Sequence, residues 1–358
     1  MPAAVVEKLT PEVGSEWDAY VQRHPDGRSF HRAGWAAVIR HAMGREPLYR
    51  LARIDGQIAG IMPLVRFAHP LFGRYLVAAP FLERGGILAS SAEAREALGR
   101  EAIRLLGDTG SSFCELRQLD SDPLPGLELP GRKAALRHKV TYSLRVDMPE
   151  EALWKHIGFK VRNRIRRAER CGLSARLGDP QRDLEAFYLT FAHNMHRLGT
   201  PVYPRRFFAE IFRQFPEDTF LVLVEDRERT ASAALVIADG REAEGRQAVL
   251  HWSGSRREYL PAAPNMLLYW KVMQLSAQRG LQRLSMGRST EGSGPALFKR
   301  QWRTEKTALR WDYLLPERGR ISKLRPESSR FRAAAAVWRR LPFAWTLRLG
   351  PPIVRHLP

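Results

Sequence analysis

The stretch R-L-S-M-G-R-S-T-E-G-S-G-P-A-L-F-K-R-Q-W, Arg283–Trp302, decides the fold reading. It opens as a strand over Arg283 to Met286, breaks at Gly287, and passes a loop holding Gly292 and Gly294. It then continues as a short helix over Pro295 to Trp302. Working back from it, a helix starts near Pro264 and stops at Gly280, with Leu268, Val272 and Leu275 on its buried side. Before that helix lie three strand candidates, Phe220 to Val224, Ala231 to Ile237 and Ala248 to Ser253. A meander of strands followed by a helical crossover implies a mixed sheet with helices on both faces.

Further back come two helices. Asp179-Pro180 supplies a cap and a first-turn proline. Leu184, Phe187, Tyr188, Phe191, Met195 and Leu198 follow at spacings of three and four, up to Gly199. Phe207, Phe208, Ile211, Phe212 and Phe215 mark the next helix. The first half of the chain shows the same order of elements without matching in sequence. Helices around Trp17 and Trp35 precede strands over Pro47 to Arg53, Ile58 to Phe67 and Tyr75 to Ala79. Asp55-Gly56 reads as the hairpin turn between the first two strands. A helix over Ala92 to Leu106, a strand over Phe113 to Leu119, a Pro/Gly-rich loop over Asp120 to Gly131 and a strand over His138 to Val146 complete this half. A last strand is expected at Ala308 to Leu314. The reading is therefore α/β (α+β): two domains, 1–150 and 151–316, each a mixed, mostly antiparallel sheet flanked by helices. A basic amphipathic tail follows at 317–358.

At 358 residues, 44% apolar and 27% charged, the chain can bury a sizeable core without staples. No apolar run is long enough for a membrane-spanning helix, and Met1 to Thr10 has no pattern of a secretory signal. Cys114 and Cys171 read as two free thiols of a cytoplasmic protein, and no metal site is expected. The net charge is +20 and it is concentrated. Lys155–Arg170 carries +6 and reads as an early helix of the second domain, with Val161, Ile165 and Ala168 as a narrow apolar stripe. Residues 317–358 carry +8. Such surfaces suit phosphates of a nucleic acid, phosphates of a nucleotide-bearing donor, or anionic lipid.

The sequence holds no G-x-x-x-x-G-K-S/T phosphate loop and no G-x-S-x-G nucleophile elbow, and His193 and His196 lack the glutamate of a zinc-protease helix. In 287–302 the three glycines permit close backbone approach, the helix start offers amide groups to an anion, and Lys299 and Arg300 add charge. A tight surface loop is the competing reading. A second stretch, N-M-H-R-L-G-T-P-V-Y-P over Asn194–Pro204, joins two helices and exposes Asn194, Arg197 and Tyr203. Trp252, at the end of a strand, and Asn265, Tyr269 and Trp270, on the long helix, fit core or cap positions as well as a site.

Three motifs occur together in order: N-M-x-R-L-G-T-P-V (194–202), A-P-N-x-L-L-Y-W (263–270) and G-R-S-x-x-G-x-G-x-x-x-F-K-x-x-W (287–302). Together they resemble the Fem-like branch of the GNAT acyltransferase superfamily. More narrowly, they are similar to the FemAB-related proteins found beside exosortase/PEP-CTERM exopolysaccharide gene clusters. The helix R-N-R-I-R-R-A-E-R-C-G-L (162–173) and the tail W-R-R-L-P…L-G-P-P-I-V-R-x-L (338–357) add to the likeness.

The resemblance implies a tandem pair of GNAT domains and an enzyme that forms an amide, with no enzyme nucleophile and no permanently bound cofactor. The donor would be aminoacyl-tRNA or acyl-CoA. The acceptor would be an amine on a lipid-linked glycan or peptide precursor of the cell envelope, related to peptidoglycan or exopolysaccharide. The usual pantetheine loop R/Q-x-x-G-x-G/A is not evident, which weakens the CoA donor. By the same resemblance Phe298-Lys299 matches the Phe-Lys pair of Fem enzymes. Lys299 is then the charge that stabilises the oxyanion or the donor, and Arg288 holds a phosphate or carboxylate. Asn194, Arg197, Tyr203, Trp252, Asn265, Tyr269, Gly287, Ser289, Gly292, Gly294 and Phe298 complete the expected substrate-binding set. The expected location is cytoplasmic, peripheral at the inner face of the membrane through 317–358. Two alternatives stay open: an acyl-CoA-dependent N-acyltransferase and a non-catalytic nucleic-acid-binding protein.

Overall fold

The computed structural model describes residues 3–70, 72–119, 132–227, 229–240, 245–316 and 329–357. The loop read at 120–131 and the start of the tail, 317–328, lie outside these residues. In chain order the first elements are β1 (Val5–Lys8), α1 (Gly14–Arg23), α2 (Gly34–Met43), β2 (Pro47–Ile54), β3 (Gln57–His69), β4 (Gly73–Ala78), β5 (Leu88–Ala89), α3 (Ala92–Thr109) and β6 (Cys114–Leu119). Next come β7 (Arg132–Arg145), α4 (Glu150–His156), α5 (Phe159–Arg170), β8 (Leu173–Gly178), α6 (Pro180–Leu198), α7 (Arg205–Gln214), β9 (Thr219–Asp226), β10 (Arg229–Asp239) and β11 (Gln247–Ser255). The chain ends with α8 (Pro264–Gln278), β12 (Arg283–Thr290), α9 (Gly294–Arg300), β13 (Glu305–Leu315), α10 (Ser329–Trp338) and α11 (Phe343–Val354).

The chain forms two compact units. The first holds Met1–Lys139, Ala308–Phe331 and Ile353–Pro358; the second holds Val140–Thr307 and Arg332–Pro352. These units cut the chain differently from the ranges 1–150, 151–316 and 317–358 read in the sequence: 140–150 and 332–352 fall in the second unit, and 308–316 in the first. The last strand, β13, pairs antiparallel with β6, Trp311 opposite Arg117, and so belongs to the first unit. Strand order in that unit is β1-β2-β3-β4-β6-β13, with β4 and β6 parallel and β5 pairing with β3. Its interior holds a polar knot. The Arg117 guanidinium, 1% exposed, donates to Glu115 (2.7 Å) and to the Leu82 carbonyl (3.0 Å) and lies over the Trp311 ring. The Tyr313 hydroxyl donates to the other Glu115 oxygen at 2.7 Å.

In the second unit the order is β7-β12-β11-β10-β9-β8. The β9–β10–β11 meander is antiparallel, and β11 and β12, joined through α8, are parallel. On β9, Phe220, Val222 and Val224 share a core with Leu268, Val272 and Leu275 of α8 and with Val161, Ile165 and Ala168 of α5. Alternation along a strand sends Leu221 and Leu223 to the other face, which α6 covers. Caps fall as the sequence implies: the Asp179 carboxylate accepts the Gln181 amide at 2.8 Å, and Gly199 ends α6 in the left-handed region.

Several expectations needed correction. The basic helix does not start at Lys155. The chain breaks at Gly158 (φ 76°), which separates α4 from α5. β1, β8 and α4 carried too few apolar repeats to be read from the sequence. Leu198, which continues the three-and-four apolar spacing of α6, is 48% exposed.

Candidate active site

The second unit opens its sheet where β11 meets β12. These parallel strands keep register only over Gln247↔Arg283, Ala248↔Leu284 and Val249↔Ser285. Two irregularities end the pairing. On β11, Leu235 pairs with Trp252 and Val236 with Leu250, so His251 is an extra residue, a β-bulge. On β12, Gly287 takes φ 73°, and a Cβ there would meet the Leu250 carbonyl oxygen at 3.0 Å. Beyond these points 252–255 and 288–290 have no ladder with each other.

Lys299 sits behind this break. It is 7% exposed, and its ammonium donates to the carbonyls of Gly287 (2.8 Å) and Arg288 (3.1 Å). The carbonyls of the kinked segment are thereby turned toward one buried positive charge. The Gly287 amide donates to the Ser285 hydroxyl at 3.3 Å. Ser289 is 6% exposed, and its hydroxyl makes no hydrogen bond among the described residues. Arg288 is half-buried. Its charge, second to burial, pulls the His251 imidazole down to about 3, so His251 is neutral at physiological pH.

Aromatic residues flank β11 on both faces. Trp252 packs edge-on against Phe207 (5.5 Å), Phe208 (5.6 Å) and Tyr203 (6.4 Å). Its neighbour Ser253 faces the other way and hydrogen-bonds with Tyr269, whose phenol burial pushes up. Tyr269 in turn meets Phe298 at 5.0 Å and Trp302 at 5.9 Å. Asn265 lies one turn before Tyr269 on α8, half-buried.

The structure thus brings Lys299, Arg288, Ser289, Gly287, Phe298, Tyr269, Trp252 and Tyr203 to the elements bordering the break. Gly254 shows how closely α6 approaches: a Cβ there would meet the Asn194 Cβ at 2.9 Å. Arg197 is exposed at the end of α6 and donates to the Asn194 side chain at 2.7 Å. The glycines differ from expectation. Gly287 approaches the Leu250 carbonyl, whereas Gly292 and Gly294 have open space around them. At the short helix α9, the Ser293 hydroxyl already accepts the Ala296 amide (3.4 Å), so the start of the helix caps itself. His251 was not singled out in the sequence. The signal was faint: one polar residue inside the apolar run Ala248 to Trp252. Among the described residues no group of His, Cys, Asp or Glu could hold a metal ion, and both cysteines are free thiols.

Residues 159–300 match the family model of an acetyltransferase (GNAT) domain. A comparison with curated protein sequences finds no significant match. Among solved structures, FemX is similar with TM-score 0.66 and 16% identity, covering 87% of this chain and 97% of that one. L-PGS from Bacillus licheniformis gives 0.57 and 14%, covering 93% and 97%. A tandem GNAT protein from the clavulanic acid biosynthesis pathway gives 0.55 and 11%, covering 86% and 98%. At these identities the likeness is one of fold: the chain has the tandem GNAT-like architecture expected from its motifs, a mostly antiparallel mixed sheet flanked by helices.

Proposed function

We propose that this chain is a Fem-like N-acyltransferase that moves an aminoacyl group from aminoacyl-tRNA to an amine of a cell-envelope precursor, related to peptidoglycan or exopolysaccharide. The break between β11 and β12, backed by the buried Lys299 ammonium, carries the reading. It offers unpaired strand edges and a fixed positive charge where an acyl carbonyl would develop an oxyanion. The amine lone pair attacks the ester carbonyl, the ester C–O bond breaks, and the amine proton goes to the departing ribose hydroxyl. No enzyme nucleophile is required, only positioning of the two substrates. Arg288 is the proposed anchor for an anionic substrate group, and Asn194, Arg197, Tyr203 and Asn265 line the proposed approach of the substrates. The narrower exosortase/PEP-CTERM placement rests on the motifs 194–202, 263–270 and 287–302 and on the tail, and a cytoplasmic site of action rests on the two free thiols and the lack of a secretory-signal pattern.

Helix α5 favours tRNA over acyl-CoA as donor. Lys160, Arg164, Arg167 and Arg170 are exposed along it and make no ion pair among the described residues; Arg164 donates only to the Gln301 amide oxygen, at 3.1 Å. A face with no carboxylate to neutralise it suits a phosphate backbone. The test is transfer of a labelled amino acid from charged tRNA to an amine, beside a thermal-shift panel of acyl-CoAs. Arg164→Gln/Arg167→Gln/Arg170→Gln should weaken binding of charged tRNA and lower the slope of log affinity against log salt by about 2–3. A thermal shift with one acyl-CoA and no transfer from tRNA would move the donor to CoA.

A further inference from the structure

Leu198 ends the apolar stripe of α6 in solvent, beside contacts between α6 and the tail. Gly199 abuts Ala335 of α10: a Cβ on the glycine would meet the Ala335 carbonyl oxygen at 2.6 Å. The His196 ring bonds to the Leu341 carbonyl (3.0 Å), His193 stacks on Phe343 at 3.7 Å, and Gly350 presses on Val202. The tail helices are therefore docked on the end of α6 and on the connection to α7. Three of their large apolar side chains point into solvent. Val337 is 60%, Trp345 59% and Leu349 45% exposed. With Leu198 these make four of the nine large apolar side chains left exposed among the described residues. Trp345 and Leu349 are one turn apart on α11, with exposed Arg348 beside them; exposed Arg339 and Arg340 follow α10. Residues 329–357 contain six arginines and no Asp or Glu.

We propose that this face, built from the end of α6 with α10 and α11, docks on the surface of an anionic phospholipid bilayer. Exposed bulky apolar side chains interspersed with arginines, on tail helices that carry no carboxylate of their own, complement acyl chains below and phosphates around them. No helix among the described residues is long and apolar enough to cross a membrane, so contact is with one leaflet. Docking sets the 194–204 connection, with Asn194, Arg197 and Tyr203, at headgroup level. Together with the acyl-transfer reading, on which this one further step rests, it brings the chain to the leaflet where a lipid-borne acceptor amine would be presented.

Flotation of the full chain with phosphatidylglycerol-containing vesicles and with pure phosphatidylcholine vesicles, at about 150 mM salt, tests the surface. Retention on the anionic vesicles is expected. Val337→Ser/Trp345→Ser/Leu349→Ser and, separately, Arg339→Gln/Arg340→Gln/Arg348→Gln should each weaken it by roughly tenfold or more, with melting temperatures unchanged. No retention of the parent chain, or retention of either variant equal to the parent's, overturns the proposal. So does self-association of the lipid-free chain that the serine variant abolishes, since a second copy would then be the occupant. Transfer assays separate the two readings. With a lipid-borne amine the serine variant should lose turnover at least about tenfold, and with a soluble amine it should match the parent. Transfer to neither amine by the parent chain defeats the acyltransferase reading while leaving the vesicle result standing.

Discussion

Lys299 has two jobs that two measurements on one variant can separate. Its ammonium satisfies two carbonyls and places a positive charge at the strand break. Lys299→Met keeps most of the stem and removes both. Stranding buried carbonyls costs about 1–3 kcal/mol of stability. Loss of an oxyanion partner costs roughly a hundredfold in turnover. Thermal melts and a transfer assay on the same variant read the two effects. Near-parental turnover in a folded variant would leave Lys299 as a strand clamp only. The lysine could be named from the Phe-Lys pair, but its burial could not, because its acceptors exist only where β12 kinks. His251 stayed hidden for a related reason. A bulge is a mismatch between two strands, and the sequence of one strand does not record it.

At the level of elements, the close approach of α6 to β11 is the tightest constraint on the site. A Cβ at Gly254 would lie 2.9 Å from the Asn194 Cβ and 3.0 Å from both the Phe191 Cα and the Thr190 carbonyl oxygen. Gly254→Ala must therefore push helix from strand. Chemical denaturation should show a loss of about 1–3 kcal/mol, the usual cost of overpacking. A neutral result would mean that α6 gives way easily. Helix positions, strand positions and caps were legible here because they rest on spacings of two, three or four residues and on Gly, Pro and Asp. The break at Gly158 was less so, since a glycine inside a basic run tells little until its φ is known.

Across the whole molecule, order and charge were written in the chain. The repeated succession of two helices, three strands, a helix and a strand follows from local periodicity, and the two basic segments follow from composition. Partnership was not. β13 follows the second unit's elements in sequence, yet it pairs with β6 and completes the first unit's polar knot. That knot gives a direct prediction: Arg117→Leu leaves Glu115 buried without its guanidinium, which should cost about 3–5 kcal/mol in equilibrium unfolding. Little change would show that the Tyr313 hydroxyl alone suffices for the carboxylate. The sequence by itself determined most helices and strands, caps such as Asp179 and Gly199, and where positive charge accumulates, because these depend on residues within a few positions of each other. Tertiary structure alone decided that Trp311 lies opposite Arg117, that His251 bulges, and that Leu198 faces solvent. Each of these depends on which distant segments pack together, and hydrophobic burial selects that pairing without leaving a local signal.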